Sequence, residues 1–358
     1  MESRAIGKIL AFDGRCNIVV QNPFAAEAFP RRAARRLRRN EQISLPLAVC
    51  FRAKSARTLA MSEKRKVSFI GLGVMGGAIA RHIALAGHEL TIFNRSPERA
   101  HKWSQDNPGL AHRIAANPAH AAQDADVVIT CVGNDDDLSE VVLGPNGVFR
   151  MLKKGGVFID HTTVSARIAR QISVEARDLR IHCVDAPMTG SQIGAEKGTL
   201  TLMCGGRDEA IEAAHPVMEA YSTRIVHVGK AGSGQIAKMA NQICIAGNVA
   251  ALAEAVRFAQ ASHLDMDKVY EAISGGAAQS WQMDNRWQTM NEDKFDFGFA
   301  IDWMRKDLGL SLDEGRGLGV SLPVAALIDQ FFADIQAQGG GRLDTSAIIK
   351  RLPKKGIK

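Results

Sequence analysis

The segment GQIAKMANQ (residues 234–242) sets a lysine inside what otherwise reads as an apolar helix. Asn241 and Gln242 follow Lys238 by three and four positions, so helical periodicity puts all three side chains on one face. That face offers one cation and two amides to a small polar molecule. Taken alone, two amides after a lysine are ordinary helix surface, and a lysine can snorkel from a packed helix. The apolar sequence on either side is what singles this face out.

A second constellation lies upstream, in FIGLGVMGGAIARHI. Gly71-Leu72-Gly73-Val74-Met75-Gly76 is a GxGxxG that directly follows an apolar strand and opens a helix, the context a dinucleotide-binding turn requires. Gly71 permits the tight turn, Gly73 lets backbone approach a pyrophosphate, and Gly76 lets helix and strand pack closely. The phosphates would sit at the helix N-terminus, where free N–H groups and the dipole favour anions. About twenty residues on, where an acidic residue would bind the ribose hydroxyls of NAD, the chain has Asn94-Arg95-Ser96. A guanidinium with two small polar groups attracts a 2′-phosphate that a carboxylate would repel, which favours NADP over NAD. The loop CVGNDDDL (residues 131–138) ends a buried strand where open α/β sheets bind ligands, and places Val132 on the cofactor side. Its three consecutive aspartates cannot all converge on a cation. Asp135 or Asp136 is expected to cap the next helix, and no metal is expected.

Positioning these residues requires two kinds of architecture. From residue 65 the apolar segments KVSFI, ELTIFN, DADVVITCV, GGVFID, IHCVDAP and TLTLMCGG alternate with amphipathic stretches. That pattern predicts an α/β, Rossmann-type domain with a mostly parallel sheet covered on both faces. After residue 229 no convincing strand remains. One long helix running to about residue 262, then helical stretches near 267–274, 302–316 and 323–337, predict an all-helical C-terminal domain joined by a long interdomain helix. A helix apolar nearly all round must be buried on several sides, which makes a homodimer or homotetramer contact plausible. The aromatic stretch SWQMDNRWQTM (residues 280–290) fits a pocket wall, a helix core or a subunit contact. The expected boundaries are a poorly ordered basic extension over 1–61, a nucleotide-binding domain over 62–229, a helical substrate and oligomerisation domain over 230–350, and a tail over 351–358.

Charge supports that division. The net charge is +7, yet the first sixty residues hold 12 Lys and Arg against 4 Asp and Glu, and the rest of the chain 33 against 34. The cluster RRAARRLRRN (residues 31–40) reads as an upstream extension, a targeting peptide or a nucleic-acid-binding arm. It lacks interleaved aromatics, which disfavours nucleic acid as a partner. The six cysteines form no metal-like spacing and are expected to be reduced thiols of a cytoplasmic protein. Asn248, Glu254 and Arg257 interrupt the most apolar helix, so no membrane span is expected.

Three stretches follow the glycine turn in a telling order: DAPMTGSQIGAEKGTLTLMCGG (185–206), GSGQIAKMANQ and WMRKDLGL (303–310). Together they resemble the β-hydroxyacid dehydrogenase family, over about residues 65–350. The resemblance implies that Lys238 is the catalytic group. It would protonate a carbonyl oxygen as hydride arrives from a nicotinamide, and take the proton back in oxidation. A partly desolvated ammonium suits this, because burial lowers its pKa toward neutrality. The resemblance also implies a small carboxylate substrate held by Thr189, Gly190 and Ser191, with Asn241 and Gln242 beside it. The family usually reads Ser-Gly-Gly at that loop, so Thr189 and Ser191 add bulk. It further implies that Thr163 lies near the nicotinamide and that Lys306 reaches the cofactor from the helical domain, although a lysine before an aspartate on a helix is commonly a solvated pair. Imine-reducing relatives generally lack the lysine, so its presence favours a carbonyl. A non-catalytic dinucleotide-binding scaffold is the rival of another class, which the complete Lys238, Asn241 and Gln242 face argues against.

Overall fold

The computed structural model describes residues 64–354 and, upstream, three short strands. These are β1 (Ile9–Phe12), β2 (Arg15–Ile18) and β3 (Ile43–Leu45). They pair antiparallel in sequence order, Ile9 opposite Ile18 and Ile18 opposite Ile43, in a stretch whose sequence carries no steady strand period. The arginine cluster at 31–40, and with it most of the expected extension, lies outside the described residues, as do residues 355–358 of the expected tail.

Residues 63–358 form a separate compact unit. Its sheet contains β4 (Lys66–Ile70), β5 (Glu89–Phe93), β6 (His112–Ile114), β7 (Val127–Thr130), β8 (Val157–Asp160) and β9 (His182–Asp185). These six are parallel in the spatial order β6-β5-β4-β7-β8-β9. That is the doubly wound order, whose direction of winding reverses between β4 and β7 and opens a crevice at the strands' carboxyl ends. Successive side chains point to opposite faces, and both faces are apolar. Phe69, Ile129 and Ile159 enter one core with Ile79 and Ile83, while Ile70, Val128 and Phe158 enter the other with Leu138 and Ile168. Strands buried on both sides read as continuous apolar runs, which is how they appear in the sequence.

The far edge departs from the parallel pattern. Strand β10 (Met188–Thr189) and β11 (Leu200–Gly206) are antiparallel to each other, β11 is antiparallel to β9, and β12 (Ser222–Gly229) runs parallel to β11. The helices of this part are α1 (Val74–Leu85), α2 (Pro97–Asp106), α3 (Pro118–Ala122), α4 (Asp135–Leu143), α5 (Ala166–Asp178), α6 (Ser191–Lys197) and α7 (Asp208–Met218).

Beyond residue 229 the described chain is helical: α8 (Ser233–Ala261), α9 (Met266–Ile273), α10 (Trp281–Asn291), α11 (Ile301–Leu318) and α12 (Pro323–Ile335), then a 3-10 turn at Thr345–Arg351. Helix α10 falls in the aromatic stretch whose role the sequence left open. Ser280 caps it by accepting from Met283 N at 3.1 Å, and Trp287 and Met290 are buried in the helical core with Val249, Leu252, Met304 and Phe332. By length and hydropathy α8 is apolar enough to cross a bilayer. Here it buries Gln235, Gln242 and Arg257 among its apolar residues and packs on α10, α11 and β11.

A candidate active site between the nucleotide turn and the lysine helix

The glycines of the turn differ in what surrounds them. Gly71 has φ +100°, and a Cβ there would overlap the Cys131 carbonyl of β7's end; a Cβ at Gly76 would overlap Gly71 O. These two residues are fixed by crossing backbone. A Cβ on Gly73, by contrast, meets nothing within 4 Å. Helix α1 has no side-chain cap and no acidic residue in its first turn. Open space in front of uncapped helical N–H groups fits a dinucleotide pyrophosphate. Leu72, Val74 and Met75 complete the turn.

Asn94 is spent inside the protein, accepting from Leu72 N at 2.9 Å and donating to Ser96 O at 3.0 Å. It holds the glycine turn against the tip of β5. Arg95 projects into solvent and pairs with Asp137 at 2.6 Å. The aspartate loop corrects one expectation. Asn134, not Asp135 or Asp136, caps α4, accepting from Asp137 N at 2.8 Å. Asn134 has β-region geometry one residue before the helix, and Asp135 is turned to Ser165, accepting from its N–H at 2.8 Å and from its hydroxyl. Among the described residues no group of three or more His, Cys, Asp or Glu is placed to hold a metal.

Val132 and Thr163 meet through a shared neighbour. Val132 N donates to Thr162 Oγ1 at 3.0 Å, and Thr162 N donates to Asp160 Oδ1 at 3.0 Å. Thr130 Oγ1 donates to the same oxygen at 2.7 Å, while Asp160 Oδ2 is buried without a partner. Burial, with Asp185 close by, pushes the Asp160 carboxyl up to about 7. Asp185 is its register partner on β9 and is pushed up to about 6 by burial.

Asp185 anchors the lysine helix. Gly232, with φ +87°, begins α8 without a side-chain cap of its own. The Asp185 carboxylate takes that place, accepting from Gly232 N at 2.7 Å and Gln235 N at 3.1 Å. Gly234 lies so close to Met203 O and Asp185 O that a Cβ there would overlap both. The first turn of α8 is therefore seated directly on β9 and β11.

One turn further on, half-buried Lys238 donates from Nζ to Met188 O at 2.9 Å, the residue before Thr189. Burial lowers its pKa to about 8, against Asp307, which raises it, and with Lys306, which lowers it. Thr189 is half-buried; Gly190 and Ser191 are exposed, with φ +132° and +61°. Asn241 Nδ2 donates to Gln242 Oε1 at 2.8 Å, and Gln242 Nε2 donates to Asp307 Oδ2 at 2.7 Å. Gln242 is buried, so its amide serves this chain from within the protein.

Helix α11 brings Lys306 across: Nζ donates to Thr163 O and lies 3.2 Å from Asp307 Oδ1. Asp307 is only 2% exposed, so the Lys306-Asp307 dipeptide is no solvated pair. Trp303 of the same helix lies beside Gly133. Two residues of this network, Asp307 and Gln235, escaped the sequence reading. The signal for both was a polar residue at a buried position of an apolar helical stripe. Cys131, Cys183, Cys204 and Cys244 are free thiols, with burial pushing Cys131 and Cys204 up to about 12.

The doubly wound sheet, the open glycine turn and the lysine helix seated on β9 and β11 fit a two-part nicotinamide-dinucleotide oxidoreductase. Comparison with known proteins agrees. Residues 66–229 match the family described as the NAD binding domain of 6-phosphogluconate dehydrogenase, and residues 232–352 the family described as NAD-binding of NADP-dependent 3-hydroxyisobutyrate dehydrogenase. An uncharacterized oxidoreductase of Shewanella frigidimarina is 51% identical over 289 residues, covering 81% of this chain and 98% of its own. The 2-hydroxy-3-oxopropionate reductase of Escherichia coli is 32% identical over 287 residues, covering 80% and 97%. The structure of Mycobacterium tuberculosis 3-hydroxyisobutyrate dehydrogenase with L-serine superposes with a TM-score of 0.73 at 28% identity, covering 81% and 99%. The chain belongs to the β-hydroxyacid dehydrogenase family and is an NAD(P)-dependent hydroxyacid dehydrogenase by that membership.

Proposed function

We propose that the protein interconverts a short β-hydroxyacid of the 3-hydroxyisobutyrate kind and its semialdehyde, with Lys238 as general acid and base. The observation that carries this reading is the half-buried Lys238, its pKa lowered to about 8 and its ammonium held one residue from Thr189. Bound at the glycine turn, the dinucleotide would supply or accept hydride at its nicotinamide. The substrate carboxylate lies at Thr189, Gly190 and Ser191, the turn into α6 whose Gly190 and Ser191 have positive φ. Asn241 completes the polar face, held from behind by Gln242, and Lys238 hands its proton to the carbonyl oxygen. Reduction needs the ammonium and oxidation the free amine. Reduction therefore slows, and oxidation quickens, as pH rises through about 8.

The cofactor we infer is NADP in preference to NAD, because Arg95 at the tip of β5 carries the charge a 2′-phosphate seeks and no carboxylate replaces Asn94. Asp137 holds Arg95, so a phosphate has to displace it. Gly71 to Gly76, Asn94 to Ser96, Val132, Thr163 and Lys306 line the cofactor side. We further infer a nucleotide domain ending near residue 229, a helical domain to about 350, a homodimer or homotetramer built on the helical part, and a cytoplasmic site of action without nucleic acid or membrane partners. Related acids differ by single small groups, worth about 1–3 kcal/mol each, so kinetics must rank them.

The test is steady-state turnover of short 3-hydroxyacids with each cofactor, for wild type and Lys238→Ala. The variant should lose about 10²–10⁴-fold in kcat while binding NADP as before. Unchanged turnover would refute the role given to Lys238.

A further inference from the structure

Gln235 sits in the first turn of α8, three residues before Lys238, and is fully buried. Its backbone N–H donates to Asp185 Oδ2 at 3.1 Å, Oε1 accepts from Val164 N at 3.1 Å, and Nε2 donates to Thr162 O at 2.8 Å. The two side-chain bonds bracket Thr163 as a neighbouring strand of a parallel ladder would, taking the carbonyl before it and the N–H after it. A carboxamide can do this because it carries the same donor and acceptor as a peptide group. Thr163's own carbonyl is left for Lys306. Among the described residues, these are the side-chain hydrogen bonds that join α8 to the 162–164 loop.

Hydride goes to the carbonyl carbon and the proton to the oxygen bonded to it. The two groups that deliver them must therefore hold one separation, and a misplacement of about 1 Å can cost about 10²-fold in rate. We propose that Gln235 is a positioning residue for hydride transfer: its carboxamide clamps the Thr162–Val164 backbone to the first turn of the lysine helix and so fixes the nicotinamide side of the cleft relative to Lys238. This rests on the roles given above to Thr163 and Lys238, and it adds a residue that touches neither substrate nor cofactor.

The experiment compares Gln235→Met, similar in length but without hydrogen bonds, with Gln235→Glu, both in the full chain. The methionine variant is expected to bind NADPH within about threefold of wild type and to keep the pH profile set by Lys238. Its kcat should fall about 100-fold with little change in KM, and its primary isotope effect with C4-deuterated cofactor should rise. In Gln235→Glu the ionised carboxyl cannot donate to Thr162 O, but the protonated form restores a donor beside an acceptor. Buried near Asp185, it takes up its proton at a higher pH than a free glutamate, so activity relative to wild type should climb as pH falls from about 8 to about 6. A lowered melting temperature with unchanged kcat, an equal loss of cofactor affinity and kcat, or a flat relative pH profile overturns the proposal. If wild type turns over no short hydroxyacid, the functional reading fails by itself. The clamp is then decided by hydrogen exchange at the Val164 amide, which speeds up in Gln235→Met if the tie exists and stays the same if it does not.

Discussion

At the scale of single residues, Lys238 is costly to the fold. Its pKa is lowered from 10.5 to about 8, so the folded state binds fewer protons than the unfolded chain between those values. The penalty is in full force below about pH 8 and is lifted as pH rises toward 10.5. Lys238→Met should therefore raise the melting temperature by a few degrees at pH 7, about the gain expected when a destabilised active-site group is removed, and by less at pH 10. Thermal scans at the two pH values check this, and an equal or lower melting temperature at pH 7 counts against a strained lysine. That Lys238 and Asn241 share a face of one helix was legible because spacing alone sets it; that Gln242 is buried against Asp307 was not. Asp307 was not, since its burial comes from α11 docking on α8, a tertiary fact that Arg305-Lys306-Asp307 does not carry locally.

At the scale of elements, the glycine turn separates folding from binding. Gly76→Ala drives a methyl into Gly71 O and should destabilise the α1 and β4 packing by several kcal/mol. Gly73→Ala meets empty space, so it should leave the melting temperature within about 2 °C and weaken dinucleotide binding at least about tenfold. Parallel melting and cofactor titration test the pair; the reverse pattern would mean that the open space is not the pyrophosphate's. The parallel strands were readable because burial on both faces writes continuous apolar runs. The short edge elements were not: β10 has two residues and β6 three, too few for any period to show. Helix α10 hid behind its aromatic residues, although Ser280 three positions before Met283 is a capping arrangement.

At the scale of the whole molecule, stability should respond to the buried carboxyls at the ends of β8 and β9. With Asp160 raised from 3.8 to about 7, the folded state keeps a proton that the unfolded chain gives up above about pH 4. The stability this contributes is fully present below about pH 4 and is lost progressively as pH rises from there to about 7. Asp160→Asn supplies a neutral group whose oxygen can still accept from Thr130 and Thr162. Relative to wild type, its urea midpoint should climb steadily as pH rises from about 4 to about 7 and level off above that. Curves that stay parallel across that range would place the loss elsewhere.

The seating of α8 reaches beyond this one reaction. The start of the helix is gauged from the sheet, through the Asp185 carboxylate and the close approach of Gly234 to Met203, while its far end lies about 35 Å beyond Lys238 among the other helices. The strand that carries Met203 also pairs with the strand of Met188 and Thr189, so Lys238 and the turn after Thr189 share one foundation. The part of the bundle beyond Lys306 and Asp307 is thereby freed from setting the direction of Lys238. Variation there, whether it recruits a new neighbour or recasts the pocket wall for a bulkier acid, can accumulate without resetting the chemistry.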